Sequence, residues 1–160
     1  MAKILSERVL GGAAGALAVA VIAVVVVKMW PVLNPPVDVS VPVNATCDLH
    51  RGPCASPLPG GGNVELSIMP RPVPVLRPLS LEVKVAGVKA DRVEVDFAGT
   101  DMKMGFNRPQ LRAEGGGRFT GEATLPVCVR DRMMWRATVL VRGGGRLYAV
   151  PFLLETARNN

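Results

Sequence analysis

The chain has 160 residues, 49% of them hydrophobic and 20% charged, with a formal net charge of +6. That length holds one domain with a real core, and the mild basic surplus, lacking a basic block or an aromatic platform, excludes a nucleic-acid surface. One histidine and three cysteines, with no phosphate loop, zinc spacing, dinucleotide fingerprint or C-x-x-C pair, leave an enzyme the least supported class.

Residues Val9 to Val27 form an apolar run of nineteen without a charge or an amide. At about 1.5 Å rise per residue such a helix crosses a hydrocarbon layer roughly 30 Å thick. A soluble core helix would carry a polar stripe, and this run has none. The run therefore predicts a transmembrane anchor over residues 9–29, after a short N-terminus of residues 1–8. Lys3, Arg8 and the amino terminus stand there against Glu7 alone, which keeps that flank in the cytoplasm. Lys28 snorkels to the far interface and Trp30 suits the headgroup level. A cleavable signal would have a shorter core of about 7–15 residues and a small-residue site after it, whereas VVVVKMWP offers no such site. Everything from about Pro31 onward is then expected outside the cytoplasm. The Arg-over-Lys bias and the Ala, Gly, Val and Pro richness are those of a GC-rich bacterial chain, so the expected location is the inner membrane with a periplasmic C-terminal domain. Gly11 and Gly15 form a small-xxx-small pair, a face on which a second helix can approach closely. That helix is either a copy of this chain or a subunit of a membrane-protein complex.

The next stretch, PVLNPPVDVSVPV, is too rich in proline for helix. It predicts a linker over residues 30–46, ending in an edge strand over Val37 to Val43. A single β domain is expected over residues 47–157. Leu79, Leu81, Val83 and Val85 alternate with polar residues, as do Val93, Val95 and Phe97. Val64, Leu66 and Ile68 repeat the pattern, followed by Phe119, Ala123, Leu125, Val127 and Val129. Trp135, Ala137, Val139 and Val141, then Tyr148, Val150, Phe152 and Leu154, complete it. Period two is the signature of a strand with one buried face. Gly143, Gly144 and Gly145 predict a hairpin between the last two strands, and Pro151 belongs on an edge or at a bulge. Short strands with turns about every 8–12 residues predict an all-β, immunoglobulin-like antiparallel β-sandwich, with a small closed barrel as the rival. Sixteen Lys or Arg face twelve Asp or Glu from Asp38 onward, evenly scattered along the sequence.

Cys47 and Cys54 bracket the loop CDLHRGPC, and Cys128 sits in LPVCV. Outside the cytoplasm thiols pair, and three of them allow three pairings. Gly52 and Pro53 help to turn the short loop, which favours Cys47–Cys54 among the three; one sulfur is left over in every case. Cys128 shares the parity of Thr120, Glu122 and Thr124 rather than that of the apolar face. In GTDMKMGFNRP, Met102 and Met104 project to one side of an extended backbone. If the preceding alternation continues, that side is the solvent face; a bulge at Gly99 would instead turn both into the core. Thioether sulfur is soft and suits Cu(I), with Cys128 or His50 completing a three-coordinate site and Met133 and Met134 in reserve. The same methionines can equally fill a gap in packing or meet a protein partner, and a lone loop histidine such as His50 is most often only solvated.

With an N-terminal anchor, a sandwich of this size and the segment Asp101-Met102-Lys103-Met104-Gly105-Phe106-Asn107-Arg108-Pro109, together with LPVC at 125–128 and MWRATV, the chain resembles the FixH-like and YtkA-like proteins. The resemblance implies a membrane-anchored periplasmic protein linked to copper handling and to assembly of haem-copper oxidases. It makes Met102 and Met104 the leading metal candidates. The family's methionine-rich loop is often accompanied by histidine, and none follows Gly105, which leaves Cu(I) capture or no metal at all. The expected function is a Cu(I)-binding or docking factor for assembly of a respiratory complex. The alternative is a structural or interaction subunit that needs no metal.

Overall fold

The computed structural model describes residues 2–33, 36–44, 46–102, 105–126 and 131–157, and within the helix the side chains of residues 15–31. It divides into two units, residues 1–36 and 37–160.

The first unit is one helix, α1 (Ala2–Leu33). Its described side chains all stand exposed, Leu17, Ile22, Val24 and Val27 among them, so apolar groups face outward on every side. Among the described residues no helix is long and apolar enough to cross a membrane. The expected span begins at Val9, and the side chains of residues 2–14 lie outside the description. The helix runs through Pro31, where the proline-rich stretch was expected to be non-helical from its first residue. Pro31 removes only one ladder bond so near the end, whereas Pro35 and Pro36 bar any continuation.

The second unit is built of strands: β1 (Val39–Ser40), β2 (Cys54–Pro57), β3 (Asn63–Met69), β4 (Pro78–Ala86), β5 (Ala90–Gly99), β6 (Arg112–Gly115), β7 (Arg118–Thr124), β8 (Arg132–Gly143) and β9 (Arg146–Ala157). They form two sheets, ordered β1-β9-β8-β5 and β2-β3-β4-β7-β6. All ladders are antiparallel except β1 with β9. Each sheet turns one face inward, and the two inner faces share one core. Alternation dictates which residues these are. Leu79, Leu81, Val83 and Val85 are buried on β4 while Ser80, Glu82 and Lys84 point out. Trp135, Phe97 and Phe152 are the largest fully buried side chains. The indole of Trp135 donates from Nε1 to Thr156 Oγ1 at 2.9 Å, which satisfies two buried polar groups at once.

Three features set the ends and edges of the sandwich. Asp38, Val39, Ser40 and Val41 run along the outer edge of β9, with Asp38 N–H donating to Leu147 O and Val41 N–H to Ala149 O, both at 3.0 Å. Because this strap is part of a sheet, the compact β unit begins at Val37, ahead of the expected boundary at residue 47. Residues 107–111 cover the opposite edge, where Val95 and Phe97 donate to Pro109 O and Asn107 O and Val93 O accepts from Leu111. That segment then crosses to the other sheet as β6. Gly144 and Gly145, at φ of +59° and +74°, make the two-residue turn between β8 and β9. Pro151 sits opposite Thr138 of β8 and beyond the strap, so its missing N–H falls on the other side of β9, which no described strand pairs at that position.

Candidate functional site

Among the described residues, the candidate ligands His50, Met102, Met133 and Met134 fall at one end of the sandwich. Strand β5 finishes there at Gly99, which pairs with Trp135 close to the start of β8. Strand β9 finishes beside it, with Ala157 opposite Arg132. In the second sheet, β7 ends and β4 begins at the paired residues Thr124 and Pro78. The chain segments at this end are tied together by backbone contacts. Thr100 N–H donates to Met134 O at 3.1 Å, and Leu76 N–H to Leu125 O at 2.9 Å. Asn107 Nδ2 donates to Thr124 O at 3.0 Å, from the strand covering one sheet to the end of a strand in the other.

The loop between Cys47 and Cys54 closes with a disulfide, Cα to Cα 5.6 Å, which resolves the three open pairings for these two residues. Cys54 and Leu49 are buried. Asp48 shapes the turn inside the loop: its Oδ1 accepts from His50 N–H at 2.9 Å, and its carbonyl accepts from Arg51 and Gly52. This turn points the His50 ring into the sandwich. Nε2–H donates to the carbonyl of Glu155, and Nδ1 accepts from the N–H of Val73 at 3.1 Å. The two partners fix the tautomer and engage both ring nitrogens. His50 is therefore not a solvated loop histidine, and in this arrangement it has no lone pair left for Cu(I). It ties the disulfide loop to β9 and to the turn after β3.

Met102 is half-buried and packs against the core. Strand β5 stops at Gly99 and the chain bends over residues 100–102, so the alternation that would have carried Met102 to the solvent face is broken. Met104 and Cys128 lie outside the described residues. In sequence, Met102 follows the end of β5 by three positions and Cys128 precedes the start of β8 by four. Met133 is a core residue, and Met134 is exposed on the outer face of β8. Among the described residues there is no group of three or more His, Cys, Asp or Glu that could hold a metal ion. Gly15 on α1 faces open space, where an added Cβ meets nothing within 4 Å; the side-chain surroundings of position 11 lie outside the description.

Sequence reasoning missed a second property of this end of the sandwich. Leu76, Phe106, Met69 and Met134 are exposed here, at 64%, 68%, 48% and 36%. Leu76 also has a φ of +57°, in the left-handed region that glycine or asparagine occupies far more cheaply. The only legible signal was MPRPVPVLRP, whose alternating prolines mark a stiff turn. Phe106 lies against Arg108, whose guanidinium stands 5.1 Å from the ring centroid and pairs through Nε with Asp96 at 3.2 Å. Elsewhere, a polar groove of about 690 Å³ crosses the outer face of the second sheet, lined by Ser67, Ser80, Gln110 and Thr120 among others. Glu82 at its side is paired with Arg118 at 2.8 Å.

Comparison of the chain with protein-family models, with curated proteins and with solved structures found no match.

Proposed function

We propose that this chain is a membrane-anchored accessory protein. In this reading its immunoglobulin-like sandwich lies outside the cytoplasm and takes part in the assembly of a respiratory, haem-copper oxidase type of complex, carrying Cu(I) on Met102 and Met104 with Cys128. The observation that supports it best is the pairing of Gly99 with Trp135. It starts the methionine segment from the strand next to the one that the Cys128 segment enters, so soft sulfur ligands far apart in sequence begin from neighbouring strands. The outward apolar side chains of α1 support the anchor, because an apolar surface on all sides needs an apolar solvent. The disulfide fits an oxidising compartment. The resemblance of the Asp101–Pro109 segment to FixH-like and YtkA-like proteins supplies the link to oxidase assembly.

The packing of Met102 against the core favours a second reading, a docking module without metal. One experiment separates the two. The anaerobically purified full chain, reduced only at its free thiol, is titrated with Cu(I) against a chromophoric chelator. The copper reading expects about one Cu(I) per chain, a soft-sulfur site, abolished in the Met102→Leu, Met104→Leu double variant. Unchanged stoichiometry in that variant removes the copper reading and leaves docking. Extraction of membranes at alkaline pH tests the anchor, which is refuted if the chain leaves with the soluble fraction.

A further inference from the structure

We infer that His50 is a proton-operated latch. Proton uptake by its ring releases the turn after β3 from the disulfide loop, while the loop stays fixed to β9. The inference depends on neither the copper reading nor the docking reading above.

The hydrogen bonds of the ring carry it. Nε2–H donates to Glu155 O, and Nδ1 accepts from Val73 N–H at 3.1 Å. His50 is the single histidine of the chain, and imidazole is the side chain that ordinarily changes charge between about pH 5 and pH 8. An added proton has only Nδ1 to go to, because Nε2 already carries one. Nδ1–H then faces Val73 N–H, donor against donor, at a distance that suited a bond. The Val73 donor is backbone and cannot rotate away as a hydroxyl could, so the ring and the turn must separate. The contact with Glu155 responds in the opposite sense, since a cationic ring donates more strongly to a carbonyl than a neutral one does. One contact is lost and the other strengthened. The release is therefore directed: the loop parts from the turn and not from β9.

The surroundings do not hold the charged ring in place. In its own loop the charged groups are Asp48 and Arg51, which pair at 3.3 Å, and Asp48 Oδ1 accepts from the backbone N–H of His50. The turn after β3 carries only cations, Arg71 and Arg77, and Arg71 donates to Ser67 Oγ at 2.8 Å. On β9 the neighbouring carboxylate is that of Glu155, which pairs with Arg132 of β8 at 3.4 Å. Among the described residues no carboxylate accepts from either ring nitrogen, so a half-buried imidazolium against Val73 has no counter-ion. Two features keep the motion small and reversible. Leu49, next to the histidine, is fully buried and seats the loop in the core. The disulfide holds the ends of the loop 5.6 Å apart between Cα atoms, so the loop moves as a closed ring.

The test follows the isotope-labelled full chain in detergent micelles by proton–nitrogen NMR from about pH 8 to about pH 5, the range over which an imidazole charges. The ring nitrogens should report the neutral Nε2–H form at the upper end, and one titration should carry the ring and the Val73 amide together. Hydrogen exchange of Val73, taken relative to its unstructured rate at each pH, should quicken about tenfold at the lower end, the equivalent of one hydrogen bond. Val95, bonded to Pro109 O on the opposite edge, should keep its protection. His50→Gln cannot take up the proton and should show no step at Val73. Equal protection of Val73 at both ends of the range, the same step in His50→Gln, or an equal loss at Val95 overturns the inference. Should the glutamine variant not fold, the parent decides alone: a Val73 midpoint different from that of the ring overturns it, and a shared midpoint with Val95 unchanged supports it.

Discussion

His50 and Glu155 lie 105 residues apart and are joined by one hydrogen bond, imidazole Nε2–H to backbone carbonyl, while the other ring nitrogen accepts from Val73 N–H. One side chain therefore ties the disulfide loop to β9 and to the turn after β3. Replacing it leaves a backbone donor and a backbone acceptor without partners in a half-buried place. His50→Ala should lower stability by about 2 kcal/mol, the sum of two modest net hydrogen bonds and part of their desolvation. His50→Gln keeps a donor near the Nε2 position and loses the acceptor for Val73, so about half of that loss is expected. Urea unfolding followed by circular dichroism measures both; equal stability of the alanine variant and the parent would show that water replaces the imidazole without loss.

The Cys47–Cys54 disulfide holds the same loop from its ends, with a sequence separation of seven. A closed loop this short restricts the unfolded chain by about 2.5 kcal/mol in the entropic account. The Cys47→Ser, Cys54→Ser variant is expected to lose roughly that amount. The more informative quantity is the coupling. His50 reaches its partners from inside the loop, so the histidine should matter less once the ends are free, and a double-mutant cycle should give an interaction of at least about 0.5 kcal/mol. Strict additivity would mean that the imidazole contacts hold the loop without help from the cross-link.

The alternation of apolar and polar residues made both inner faces readable from sequence: Val93, Val95, Phe97, Trp135 and Phe152 in one sheet and Leu66, Leu81 and Val83 in the other are buried as their parity requires. The Gly143–Gly145 reversal and the edge position of Pro151 were legible for the same reason, since each follows from the backbone chemistry of one residue type. What parity cannot reach is the point where it stops. Parity places Met102 on the solvent face only if β5 continues beyond Gly99; the chain bends there, Thr100 bonds to Met134 O, and Met102 packs against the core, as the alternative of a break at Gly99 requires. His50 was unreadable because its partners are backbone groups of Val73 and Glu155, which carry no side-chain signature. The exposed end with Leu76 escaped notice because positive φ at a leucine has no sequence signal.

Trp135 and Thr156 are both almost completely buried, and the 2.9 Å bond between them is an internal polar contact that neither can exchange for water. Thr156→Val keeps the shape and removes the acceptor, leaving the indole N–H unpaired. A loss of about 1–3 kcal/mol is expected, whereas Thr156→Ser, which keeps the hydroxyl, should lose less than the valine variant. Trp135 is the one tryptophan of the β unit, Trp30 being in the helix, so its fluorescence can follow the unfolding directly. If valine proves as stable as threonine, the indole must find another acceptor and the contact is not structural.

Gly116 and Gly117 occupy the turn between β6 and β7 with φ of +60° and +78°, yet they are not equivalent. A Cβ on Gly116 meets nothing within 4 Å, whereas one on Gly117 would stand 2.3 Å from the carbonyl oxygen of Val85. That carbonyl belongs to β4, and Val85 N–H donates back to Gly117 O at 2.8 Å, so neither backbone can retreat without breaking the contact that fixes the turn against the sheet. Gly116→Ala carries only the left-handed penalty of about 1 kcal/mol. Gly117→Ala adds a backbone clash and the lost hydrogen bond to that penalty, so it is expected to exceed about 3 kcal/mol, in the range that marks a named structural fault rather than a surface change. Thermal unfolding of the two variants side by side decides the matter, because both share the turn and the strain and differ only in the approach of β4. Similar losses in the two would show that conformation alone, and not the contact with Val85, governs the position.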